Sequence, residues 1–131
     1  MSEVKFSFED LDVWHDSIKF AEAIMDLTEN LDSKSRHYRL IEQLESSSAS
    51  IAMNIAEGKG RFSKKEFIQY LYIARGSLFE TVTLLTLFHR KGWLNQAVLT
   101  DLRDTADQIG KKISNLINSI KKSMSAVIIS R

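Results

Sequence analysis

The sequence contains no cysteine and no proline, and only five of its 131 residues are glycine. Without cysteine there is no disulfide, no thiolate metal site and no thiol nucleophile, and nothing asks for an oxidising compartment. Average proline usage of about 5% predicts roughly six or seven prolines in a chain of this length. Their absence suits long uninterrupted helices and disfavours loop-rich folds. Long apolar runs are missing too: nowhere do roughly eighteen apolar residues follow one another, and Met1 to Phe8 lacks the basic-then-apolar pattern of a secretory leader. These absences predict a soluble, cytoplasmic protein with no membrane partner.

What is present points to one domain spanning residues 1–131, the common size for a chain that buries a single core. The net charge is +1, but it is unevenly distributed. Residues 1–32 carry nine acidic groups against Lys5 and Lys19, a net −7, whereas residues 33–131 carry sixteen basic groups against eight acidic ones, a net +8. Complementary neighbouring helices or subunits would account for this, as would a segregated field aimed at an external partner.

Four helical segments are predicted, over about 8–30, 36–57, 64–91 and 96–124. Ser7 and Asp10 form a capping pattern with Phe6 and Leu11 as a hydrophobic staple, and the first apolar stripe reads Leu11, Trp14, Ile18, Ala21, Met25. After the polar link Asp32-Ser33-Lys34-Ser35 the second stripe is Ile41, Leu44, Ser48, Ile51, Ile55, closed by Gly58 as a C-terminal cap. Asn54 and Glu57 then face the loop backbone. Ser63-Lys64-Lys65-Glu66 is a capping box, with Phe62 and Phe67 as its staple. The third helix stops at Gly92, and Asn95 caps the fourth, whose stripe is Leu99, Leu102, Ala106, Ile109, Ile113, Leu116, Ile120. Short links force antiparallel neighbours, so the expected architecture is all-α, an up-down-up-down four-helix bundle. The tail from Ser123 to Arg131, with Val127, Ile128 and Ile129, extends the fourth helix, docks on a neighbour or frays.

The third helix carries more apolar surface than one core face requires. On a helical wheel Phe67, Tyr70, Leu71, Ala74, Leu78, Val82, Leu85 and Phe88 form the core face. Ile68, Tyr72 and Phe79 form a second stripe, and Ile73, Leu84 and Leu87 lie on the other flank. A helix apolar on most sides needs cover that a lone bundle does not supply, and a second subunit is the simplest cover; scattered surface apolar residues are the plainer alternative. Gly76 and Ser77 cost on the order of 1 kcal/mol of helix propensity, which makes sense where another backbone approaches. A homo-oligomer is expected, with Ile68, Tyr72, Ile73, Phe79, Leu84 and Leu87 at its interface.

Catalytic and metal-binding patterns are missing. A di-metal bundle needs paired Glu-x-x-His motifs, and the nearest approach is the single Asp12-Val13-Trp14-His15. No G-x-S-x-G elbow exists. Gly58-Lys59-Gly60 lacks the rest of a phosphate loop and follows no strand. The expectation is therefore no enzyme, no cofactor, no metal and no small-molecule substrate. The Ser46-to-Ser50 run reads as small residues that let helices approach. Lys59, Arg61, Lys64 and Lys65 gather around Phe62 at a helix N-terminus, a combination suited to nucleic-acid phosphates, with Lys121 and Lys122 at the same end in up-down order. Lys34, Arg36, Arg39, Arg90 and Lys91 gather at the other. Solvated loop ends are the alternative reading of both clusters.

Asp10-Leu11-Asp12-Val13-Trp14, Asn54-Ile55-Ala56-Glu57-Gly58, Lys65-Glu66-Phe67 with Tyr70-Leu71, and Arg75-Gly76-Ser77-Leu78-Phe79-Glu80 together resemble the bacterial 23S rRNA intervening-sequence proteins, also called the S23 ribosomal protein family. The resemblance covers almost the whole chain and implies a four-helix bundle in a ring-like homopentamer, some members being encoded inside insertions of large-subunit rRNA genes. It extends to the accessory variability determinant of diversity-generating retroelements, a basic pentamer that binds nucleic acid and reverse transcriptase. This chain is near neutral where that relative is basic. The functional expectation is an oligomeric scaffold that binds RNA or a nucleic-acid-handling protein through basic helix ends. The alternative is a protein–protein adaptor with no nucleic acid involved.

Overall fold

The computed structural model describes residues 3–31 and 37–129, and the side chains of that span up to residue 125. The predicted link Asp32 to Ser35, with Lys34 and Arg36, lies outside the described residues, as do the side chains of Val127, Ile128 and Ile129.

A short 3₁₀ turn, Ser7–Asp10, precedes α1 (Asp12–Glu29), α2 (Tyr38–Lys59), α3 (Lys64–Arg90) and α4 (Gln96–Ile129). Contacts run α1 to α2, α2 to α3, α3 to α4 and α4 back to α1, with none across either diagonal among the described residues. That closed square is the antiparallel up-down-up-down bundle expected from the short links. Two opposite faces follow from it: an outer groove between α1 and α2, and an outer seam between α3 and α4. Phe20, Ile24, Leu44, Ile51, Ile55, Leu71, Leu85, Phe88, Ile109 and Ile113 fill the middle and are fully buried.

The core stripes of α2 and α4 fall where the periodicity puts them, apart from a drift in α4 that buries Ile117 and leaves Leu116 and Ile120 half-buried. Helix α1 differs. Its buried stripe is Val13, Ser17, Phe20, Ala21, Ile24, Thr28, roughly 100° round the wheel from the expected one. Ser17 and Thr28 disguise it, because their polarity hides a core role that local bonds make tolerable. Ser17 donates to the Val13 carbonyl at 2.7 Å, and Thr28 bonds the Glu45 carboxylate of α2. Trp14, Ile18 and Met25 are left on the shoulder facing α2.

Several expected caps are replaced by other devices. Ser7 caps nothing; the Glu9 carboxylate accepts from the Phe6 N–H at 3.2 Å instead. Phe6 is exposed and stacks on Phe8 rather than stapling Leu11. Gly58 does not end α2, which runs on to Lys59. It is buried because a Cβ there would lie 2.6 Å from the Tyr70 Cβ and 3.0 Å from Phe67 Cδ1, so only glycine lets α3 come this close. Asn54 bonds Ser50, not the loop, through its carbonyl at 2.8 Å and its hydroxyl at 2.9 Å. Gly92 does terminate α3 as expected: at φ 78° it lets Trp93 N reach the Phe88 carbonyl at 2.9 Å. Asn95 also caps as expected, Oδ1 accepting from Val98 N at 2.8 Å.

Ile68 and Leu84, expected at a subunit interface, belong to the core at 8% and 6% exposure. The reason is that α3 packs on both α2 and α4, so its buried arc is wider than a single stripe. The same double packing accounts for α3 being the one described helix long and apolar enough in composition to cross a membrane, with a mean hydropathy of 1.2. Only 39% of that apolar window is buried inside the chain, so apolar surface still remains outside.

Candidate functional site

The basic end is assembled where α2 hands over to α3. Lys59 closes α2, Arg61 and Phe62 occupy the link, and Lys64 and Lys65 open α3. Ser63 fixes this start, its hydroxyl accepting from Glu66 N at 3.1 Å while the Glu66 carboxylate turns back to the same hydroxyl. Phe62 is fully exposed and makes no staple with Phe67. Phe67 and Tyr70 instead pack against Gly58 and offer their rings to the cations: Lys59 lies 5.9 Å from the Phe67 centroid and Arg61 4.8 Å from that of Tyr70.

The four expected cations share this end but differ in charge state of their surroundings. Arg61 is bound to Glu57 at 2.9 Å and to the Tyr70 hydroxyl, so its charge is largely answered. Lys64 reaches across to α4, donating to Ser123 Oγ at 2.9 Å. Lys59, Lys64 and Lys65 form no ion pair among the described residues.

The end of α4 adds residues that the linear sequence associates with this site only through topology. Lys121 donates to the Tyr72 hydroxyl at 2.8 Å, and Arg75 donates to Ser114 Oγ at 3.2 Å. The hydrogen bond from Lys121, reinforced by the charges of Lys121 and Arg75, holds the Tyr72 phenol below its ordinary pKa. Tyr72 and Lys121 stand 49 residues apart, so no local pattern signals the pair.

The opposite end is differently made. His37 stacks on Trp93 at 4.2 Å, Trp93 meets Phe88 edge-on at 5.0 Å, and His89 Nδ1 lies 3.0 Å from the Leu94 carbonyl. Arg39, Arg90 and Lys91 are exposed around this aromatic lock.

Among the residues expected at an interface, Tyr72, Ile73, Phe79 and Leu87 are exposed, Phe79 most of all at 60%. Among the described residues nothing from another helix lies within 4 Å of where a Cβ would stand at Gly76, so no neighbouring backbone approaches it. A second apolar surface was not anticipated. Phe8, Trp14, Ile18, Met25, Met53 and Ala56 line a groove of about 390 Å³ between α1 and α2, and Met53 is 66% exposed. The signal for it was the Trp14–Ile18–Met25 stripe itself, which lines this groove rather than the core. Among the described residues no three acidic or histidine side chains converge as metal ligands.

Comparison with known proteins adds to this geometry. The family model described as 23S rRNA-intervening sequence protein matches residues 9–115. A crystal structure at 1.70 Å of a protein of unknown function from the S23 ribosomal protein family of Bacteroides thetaiotaomicron VPI-5482 is 27% identical. It covers 80% of this chain and 97% of that one, with a TM-score of 0.75. No curated protein matches significantly.

Proposed function

Because the chain belongs to the 23S rRNA-intervening sequence protein family, we propose that it is a non-enzymatic, self-associating cytoplasmic bundle that binds RNA through the end formed by Lys59, Arg61, Lys64 and Lys65. The observation that carries this reading is the convergence of Lys59, Arg61, Lys64 and Lys65 at one end, where among the described residues Arg61 alone of the four is ion-paired, while Asp10, paired with Lys5, lies near Lys59. Lysines left without a partner carboxylate suit phosphates, whose capture releases counterions and so depends steeply on salt.

Self-association supports the reading, since a ring of copies repeats the basic end and raises avidity beyond that of one site. The apolar surfaces stand on different faces, the α1–α2 groove on one and, on α3, Phe79 towards α4 with Ile73 and Leu87 on the other flank. Unlike patches meeting head to tail give heterologous contacts, which close into rings when the rotation allows; five copies is the number the family resemblance implies. Static light scattering tests assembly directly. A multiple of 15.0 kDa at micromolar concentration is the expected result, and a lone 15.0 kDa species contradicts it.

The RNA reading is tested by measuring affinity for a labelled RNA against salt. Replacing Lys59, Arg61, Lys64 and Lys65 together flattens the dependence; an unchanged slope rejects this surface. A second reading, an adaptor that binds another protein without nucleic acid, is favoured by the α1–α2 groove. It predicts that the purified protein binds no RNA even at low salt.

A further inference from the structure

Cations on this surface are of two kinds. Lys5, Arg61, Lys111 and Lys112 sit against the carboxylates of Asp10, Glu57, Asp107 and Asp16. Along the outer seam between α3 and α4 the partners are hydroxyls instead, Ser123 for Lys64, Tyr72 for Lys121 and Ser114 for Arg75. A hydroxyl fixes where a cation points but leaves its charge uncancelled. Tyr72 gathers two of the three, with the Arg75 guanidinium 4.9 Å and the Lys121 ammonium 5.4 Å from its ring centroid. The Lys121 hydrogen bond, with the charges of Lys121 and Arg75 behind it, depresses the Tyr72 phenol.

Among the described residues Lys64, Arg75 and Lys121 form no ion pair. Asp107 is the last acidic residue of the chain, and residues 108–131 hold Lys111, Lys112, Lys121, Lys122 and Arg131 with no carboxylate side chain. On α3 the only acid between Lys64 and Arg75 is Glu66, whose carboxylate is turned to Ser63.

We propose that the seam formed by Lys64, Lys121, Tyr72, Arg75 and Ser114 is a docking track for the sugar–phosphate backbone of single-stranded RNA, leading from the basic end up the side of the bundle. The proposal rests on the RNA-binding reading and extends it from the α2–α3 link to a second surface. Lys64 and Arg75 are eleven residues apart on one helix, about 16 Å along its axis, which gives a strand room for several contacts. The Tyr72 and Ser114 hydroxyls accept from cations, and their own hydrogens meet no acceptor among the described residues, so both are placed to donate to phosphate oxygens. Arg75 adds a planar fork suited to phosphate. Lys121 lies beyond the residues that the family model matches, so the track depends on this chain's own α4.

The rival occupant is the acidic α1 of a second copy, and the test separates the two. Labelled single-stranded RNA is titrated with the full chain, wild type and Arg75→Gln/Lys121→Gln, over a range of salt, with light scattering on both proteins. The expected result is retained RNA binding with a log–log salt slope shallower by about 1.4, about 0.7 for each lost phosphate contact. The unfolding midpoint and the mass stay unchanged. Tyr72→Phe, which frees Lys121 but keeps the ring, gives a smaller loss. A wild-type slope in the double variant overturns the track while leaving RNA binding at the helix end intact. A changed mass assigns the seam to contact between copies and also overturns it. Absence of RNA binding by the wild type at low salt defeats the underlying reading as well.

Discussion

On the side of α3 that faces α2, hydroxyl meets hydroxyl: Ser47 pairs with Thr81 and Ser50 with Ser77, each at 2.9 Å, and Gly58 brings the backbones together. On the side that faces α4, hydroxyls hold cations at the surface. The same helix thus uses short polar side chains in two ways. Paired with each other, Ser47 and Thr81 buried and Ser50 and Ser77 half-buried, they satisfy one another where the helices close together. Exposed and paired with lysine or arginine, they contribute little to stability but keep positive charge in fixed places. The difference teaches which substitutions should unfold the protein and which should only disarm it.

The largest effect is expected at the closed seam. Gly58→Ala drives a methyl into Tyr70 and Phe67 and should cost about 1–3 kcal/mol, read as a lowered midpoint in urea unfolding. If the variant is as stable as wild type, the close approach of α2 and α3 is not what places glycine there. Thr81→Val keeps the shape but removes one hydroxyl of the buried pair, at a cost of about 1 kcal/mol, because Ser47 retains the Leu44 carbonyl at 3.1 Å. A cost as large as that of Gly58→Ala would mean that hydroxyl pairing, rather than close packing, holds this side.

Across the helix the expected stability changes are smaller. Arg75→Gln/Lys121→Gln should leave the unfolding free energy within about 0.5 kcal/mol of wild type. A loss above that range would show that the open seam is structural after all. The subtlest difference is in titration. With its folded-state pKa depressed, Tyr72 ionises before an unperturbed phenol as pH rises. Its contribution therefore favours the folded state at alkaline pH, is fully present above the ordinary tyrosine pKa, and disappears as pH falls through the depressed value. Ultraviolet absorbance of the native protein should show an early phenolate step that Tyr72→Phe removes and Lys121→Gln moves upward. An early step that survives Tyr72→Phe would contradict the pairing.

The sequence made the bundle legible because α2 and α4 keep unbroken apolar periodicity and the links are short enough to force antiparallel order. Helix α1 misled because Ser17 and Thr28 interrupt its true core stripe, while Trp14, Ile18 and Met25 imitate one at the mouth of a groove. Gly58 looked like a cap since glycine so often ends helices, and only the neighbouring Phe67 and Tyr70 reveal the steric reason for it. At the candidate site, Lys59, Arg61, Lys64 and Lys65 were visible as a local cluster. The Glu57 that answers Arg61 lies one turn earlier and could have been read as an i,i+4 pair. The links from Lys121 to Tyr72 and from Arg75 to Ser114 span 49 and 39 residues and become visible only once α3 and α4 are side by side.

Whether the cations of the basic end capture RNA is measured most directly by the affinity of the wild-type protein for single-stranded RNA as a function of salt. Lys59, Lys64, Lys65, Arg75 and Lys121, at about 0.7 each, predict measurable binding at low salt with a log–log slope of about −3.5. No binding at low salt, or an affinity indifferent to salt, would contradict it.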